Sequence, residues 1–115
     1  MIILIKKSES KKFENSKDCT VWEYEYPSKL FSFATASING RYPNKKRVTN
    51  LYCEEVYYVI SGSGIIHSEF GEFKIEQGDL YFFKKGEKYW VKGKKLVLVL
   101  VNAPKWTLEQ HKNID

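Results

Sequence analysis

Between Val21 and Val101 the chain is cut into apolar runs of three to nine residues, each closed by a turn signal. Val21-Trp22-Glu23-Tyr24-Glu25-Tyr26 alternates and stops at Pro27. Leu30 to Ile38 alternates large with small and ends at Asn39-Gly40. Glu55 to Ile60 precedes Ser61-Gly62-Ser63-Gly64, and Ile65 to Phe70 precedes Gly71-Glu72. Phe73 to Glu76 leads through Gln77-Gly78-Asp79 into Leu80 to Phe83, and Lys84 to Glu87 separates that run from Tyr89-Trp90-Val91. A period of two puts one side-chain set on each face of a strand, and the unbroken run Leu96 to Val101 suits a strand buried on both faces. Many short strands with even punctuation predict an all-β sandwich or barrel.

The two ends are less regular. Ile2-Ile3-Leu4-Ile5 reads as an N-terminal strand, added to its own barrel or to a neighbour's, and Ser8 to Lys17 as a polar loop within the segment 1–20. Asn39-Gly40 and Ser61 to Gly64 read as tight turns, and Arg41 to Lys46 as a loop. Near the C-terminus Pro104 suits the start of a short helix carrying Trp106, Leu108 and Gln110.

With 115 residues and no internal linker, 1–115 reads as one domain with one core. No stretch approaches the ~20 apolar residues of a membrane span, and the N-terminal apolar run is too short for a secretory signal, so a cytoplasmic protein is expected. Cys19 and Cys53 form no C-x-x-C pair, which argues against zinc, and they read as ordinary thiols. The net charge of +5 comes from lysine pairs scattered along the chain and interleaved with acids. A basic regulatory or nucleic-acid-binding module is therefore an alternative, but an unfavoured one.

The string Glu55-Val56-Tyr57-Tyr58-Val59-Ile60-Ser61-Gly62-Ser63-Gly64 resembles the first conserved motif of the cupin superfamily, with Gly62 seven residues after the glutamate. Gly78-Asp79 through Gly86 resembles the second, and the family pattern runs from Asn50 to about Val101. The resemblance implies a cupin-type jelly-roll β-barrel with a pocket. It also implies where metal ligands would fall. The His-x-His positions land on Val48 and Asn50, or on Thr49 and Leu51 with a shorter gap. The third histidine position is Tyr89, and the usual proline before Gly86 is Lys84. Only Glu55 matches, so no cofactor is expected beyond weak divalent binding at Glu55.

On this alignment Asn50, Glu55 and Tyr89 point into the barrel, as ligand contacts or as a mutually satisfied polar cluster. Glu55 with Tyr89 or His67 is the candidate catalytic set for proton transfer. Tyr57 and Phe82, like Trp90 and Trp106, offer stacking surfaces or simply core. Tyr89 and Trp90 are neighbours, so one at most faces the pocket. Arg41 stands ready to clamp an anionic group near the barrel mouth. The expected partner is a small molecule, a sugar or small organic acid. A metal-independent binding protein is the first reading, a sugar isomerase, epimerase or lyase the second, and a homodimer the expected assembly.

Overall fold

The structure, a computed structural model, describes residues 2–114. Among the described residues nine strands join in one sheet: β1 (Lys11–Ser16), β2 (Cys19–Tyr24), β3 (Ser32–Tyr42), β4 (Arg47–Asn50), β5 (Glu54–Ser68), β6 (Gly71–Glu76), β7 (Leu80–Phe83), β8 (Tyr89–Ala103) and β9 (His111–Ile114). β8 lies at the centre, with β3 antiparallel on one side and β5 on the other. β2 and β1 continue beyond β3, while β7 and β6 pair end to end with the far side of β5. β4 joins β8 through Val48 opposite Tyr89 and carries β9 on its other edge. The sheet curls into a half-closed barrel, the jelly-roll architecture of cupins.

Alternation decides what faces inward. Val21, Ala36, Ile38, Tyr57, Val59, Phe83, Val91, Leu96 and Leu98 form a buried cluster, one strand position in two. Burial of a Leu or Val of this kind stabilises by about 1.5–3 kcal/mol relative to exposure.

Two expected turns are bulges instead. β5 runs unbroken through Ser61 to Gly64, and β3 runs through Asn39-Gly40, each with a register shift at the glycine. At Gly62 the backbone takes a positive φ of 78°, and a Cβ there would stand 1.9 Å from the Lys95 carbonyl oxygen. Glycine serves turns and bulges alike, because both need positive φ or close approach of another backbone. The register of the β5–β8 ladder shifts there, as a bulge requires.

The ends also differ from expectation. Residues 2–6 form no strand, and Ile2 is 91 % exposed; Met1, the first residue of the segment 1–20, lies outside the described residues. The first strand is drawn instead from the polar stretch Lys11–Ser16, an edge strand exposed at every position but Ser16. β2 dictates its register, and its own sequence carries no apolar period. The expected C-terminal helix is a single 3₁₀ turn, Leu108–Gln110, followed by β9. Continuing the helix would sacrifice the four-residue ladder between β9 and β4.

Candidate functional site

A cavity of about 230 Å³ opens within the barrel between the β2–β3 side and the segment after β8. Glu55 and Tyr57 of β5, with Tyr89 and Asn102 of β8, present polar atoms to it among apolar walls such as Ile38 and Leu100. Glu23, Glu25, Lys105 and Trp106 lie towards its mouth.

Glu55 is 5 % exposed. Its Oε1 accepts a hydrogen bond from Asn50 Nδ2 at 2.8 Å and a longer one from the Tyr89 hydroxyl at 3.4 Å. Burial pushes the Glu55 carboxyl up to about 7, against the pull of hydrogen bonding from Asn50, Asn102 and Tyr89. Burial also holds the Tyr57 and Tyr89 phenols well above their ordinary values, and the Glu55 charge adds to this. Both tyrosines therefore stay protonated and act as donors.

Behind Glu55 the donors and acceptors fall in one order. Asn50 Oδ1 accepts from Gln110 Nε2 at 2.9 Å and from His111 Nδ1 at 2.7 Å, which leaves its Nδ2 to donate to Glu55. With its proton on Nδ1, His111 accepts at Nε2 from the Tyr42 hydroxyl, 2.8 Å away. Burial lowers the His111 pKa to about 4, so the ring is neutral near pH 7. Asn102 is buried and lines the cavity, and its Nδ2 faces Glu55 closely enough to lower the carboxyl's pKa without forming a well-aligned hydrogen bond to it. A buried donor left without a well-aligned hydrogen bond costs about 1–3 kcal/mol unless a ligand or water takes it.

Of the residues singled out in the sequence, Glu55, Tyr57 and Tyr89 meet at the cavity, and Asn50 stands behind Glu55 as its hydrogen-bond partner. Trp106 lines the cavity and Trp90 does not. Three candidates lie elsewhere. Phe82 is 47 % exposed on the outer face of β7, and the alternate position Phe83 is the buried one. His67 stacks on Trp90 at 3.7 Å on the outer face, beside Glu72, too far from Glu55 to share its proton chemistry. Arg41 covers the opposite side of Trp90 and donates to the Pro43 and Lys46 carbonyls, so its guanidinium braces a loop.

Sequence reasoning missed Tyr42, Asn102, Gln110 and His111. Asn102 was legible, since it continues the inward alternation Leu96, Leu98, Leu100 past the end of the apolar run. His111 had no such signal, because β9 is polar and placed only by its pairing with β4.

The cupin fold raises the question of a metal, and the residues present do not fit one. The groups around Glu55 Oε1 are an amide NH₂ and protonated phenols, donors and not metal ligands, and both His111 nitrogens and Asn50 Oδ1 are already engaged. Among the described residues no three His, Cys, Asp or Glu side chains gather in a metal-holding group.

No family model matches the chain, and no curated protein matches it in sequence. Solved structures do match in fold. The Streptomyces nucleoside dehydratase Pac13, solved also with uridine, superposes with a TM-score of 0.89 at 17 % identity over 99 % of this chain and 92 % of that one. Ectoine synthase from P. lautus gives 0.77 at 18 % identity over 99 % and 91 %. Oxalate decarboxylase from Bacillus subtilis gives 0.82 at 17 % identity over 96 % of this chain but 31 % of its own. All three are cupin-fold proteins. The chain has the cupin fold.

Proposed function

We propose that the barrel binds a sugar-bearing small molecule and that Glu55 exchanges a proton with it without a metal. The observation that carries this reading is a buried carboxyl on the cavity wall, held near pH 7 where it can both take and return a proton. The cavity exceeds the ~150 Å³ that accepts benzene in an engineered core, so a monosaccharide or another compact ring fits. Tyr57, Tyr89 and Asn102 supply hydroxyl and amide donors for ligand oxygens, and Trp106 supplies an aromatic face at the mouth. Two fold neighbours matched along nearly their whole length are named as a nucleoside dehydratase and a synthase, and the first supports a lyase reading.

The simplest reaction that the geometry supports is loss of water from a carbonyl-bearing sugar. Glu55 carboxylate takes the proton from the carbon next to the carbonyl. Tyr89 and Asn102 donate hydrogen bonds to the enolate oxygen that forms. The C–O bond on the next carbon then breaks, and Glu55 hands its proton to the departing hydroxide, which leaves as water. The second reading, binding alone, uses the same donors without the proton transfer.

The test is chelator-treated protein against a panel of nucleosides, their oxidised sugars, hexoses and small organic acids, scored by thermal shift and product formation. Turnover with an ionisation between about pH 6 and 8, lost in Glu55→Gln while binding is kept, is the expected result. Binding without turnover would leave the second reading, and dependence on added metal would overturn metal independence.

A further inference from the structure

A strand with one face inside a barrel ordinarily puts apolar side chains there. β2 begins so, with Cys19 and Val21 buried, and then breaks the pattern. Glu23 and Glu25 take the next two inward positions and line the cavity near its mouth. The two carboxylates are held differently. Glu25 is exposed and paired with Lys11 at 2.9 Å. Glu23 is half-buried, and among the described residues no hydrogen bond or ion pair reaches its carboxylate. Burial, with Glu25 beside it, holds the Glu23 carboxyl above its ordinary value. A charge kept on an inward face without a protein partner costs stability, so the fold tolerates it for another reason. The registers set Glu23, Ala34, Leu100 and Tyr57 in one inward row across β2, β3, β8 and β5. Ser32, Asn102 and Glu55 form the row beside it. The wall is thus polar at both ends, with Glu23 at the mouth and Tyr57 and Glu55 at depth, and the small Ala34 leaves the floor between them open.

We infer that Glu23 anchors a vicinal hydroxyl pair of an uncharged, unphosphorylated sugar whose other end reaches Glu55. The inference rests on the sugar reading above and names the class of sugar. An ionised carboxylate only accepts hydrogen bonds, so whatever meets Glu23 must donate. Its two oxygens accept from two neighbouring hydroxyls at once, and hydrogen bonds to a charged group are the stronger kind. Charge narrows the class further. The molecule carries +5, yet the charged side chains lining this cavity, among the described residues, are three glutamates and Lys105. A phosphate on the ligand would face those glutamates, and Arg41 is engaged elsewhere by Trp90 and its loop carbonyls. The small organic acid that the sequence left open meets the same repulsion. An ammonium group would meet Lys105, whose charge already acts on both Glu23 and Glu25. A neutral polyol meets neither. Trp106 stands at the same mouth, and an aromatic face beside an acceptor suits the C–H face and hydroxyl edge of a sugar ring. Glu23 and Tyr57 stand three strand spacings apart, about 14 Å between backbones, so a ring held by both ends bridges the open floor over Ala34.

Titration calorimetry on the chelator-treated full chain tests it. Uridine, adenosine and methyl riboside are each measured beside the monophosphate and the dideoxy counterpart, and glucose beside glucose phosphate. The expected result is that at least one parent sugar binds, and that its phosphate and its dideoxy counterpart bind more weakly by about tenfold or more. Glu23→Gln is near-isosteric at a half-exposed position, so folding is spared, which an unchanged circular dichroism spectrum checks. It weakens the parent by about tenfold and removes the penalty for the missing hydroxyls, since the charge they met is gone. A phosphate or a dideoxy counterpart that binds wild type as tightly as its parent, or a hydroxyl preference that survives Glu23→Gln, would each overturn the role of Glu23 and leave the sugar reading standing. Binding by none of these compounds would overturn the sugar reading and this inference with it.

Discussion

At the scale of single residues the site rests on one carboxyl whose environment opposes its charge. Burial raises Glu55 to about 7, above its unfolded value near 4.5. A raised folded pKa leaves stability intact below the unfolded value and removes it as pH climbs through the folded one. Glu55→Gln, which mimics the protonated form, should therefore match the wild type at pH 4. By pH 8 it should be more stable by about 3 kcal/mol, read from urea denaturation at the two pH values. Equal stabilities at both would mean that the carboxyl ionises without strain. Asn102 is the complementary case. Its Nδ2 faces Glu55 without a well-aligned hydrogen bond, so at pH 4, where Glu55 is neutral, Asn102→Leu should keep or raise the melting temperature. For the panel compound that stabilises the wild type, it should cost about tenfold or more in affinity, measured by calorimetry.

At the scale of elements, the short segment from Leu108 to Ile114 determines how Glu55 is held. Gln110 is 1 % exposed, and its side chain accepts from the Tyr52 amide while donating to Asn50. Gln110→Ala should cost about 2 kcal/mol in chemical denaturation. His111 is lowered to about 4 from 6.5, the sign opposite to Glu55: its stabilisation is complete above pH 6.5 and is lost as pH falls through 4. Trp106 packs 5.6 Å from the His111 ring, so its fluorescence should report release of β9 in that window, and His111→Gln should flatten the change. The helical turn at Leu108–Gln110 was expected from the sequence, but β9 was not legible, because polar residues placed by pairing leave no period. The central strands were legible for the opposite reason, since Glu55, Tyr57 and Val59 alternate inward as the pattern requires. Gly40 and Gly62 were located correctly and assigned the wrong shape: a positive φ marks a turn or a bulge equally, and only the partner strand decides between them.

At the scale of the whole molecule, the cupin motifs led to the right barrel, and the same motif frame put Glu55 and Tyr89 on its inner side. What the frame could not supply was distance. His67 and Arg41 are held on the outer surface by Trp90, and Phe82 lies on the outer face of β7, because inside and outside along a bulged strand follow from register and not from residue type. Among the described residues no helix is long and apolar enough to cross a membrane. The barrel interior thus holds a carboxyl out of water. The central claim concerns the interior, and a ¹³C NMR titration of the Glu55 carboxyl in chelator-treated wild type tests it most directly. A midpoint near pH 7 that is absent in Glu55→Gln is the predicted result, and a midpoint near the ordinary 4.5 would contradict the account of Glu55 as the proton-exchanging group.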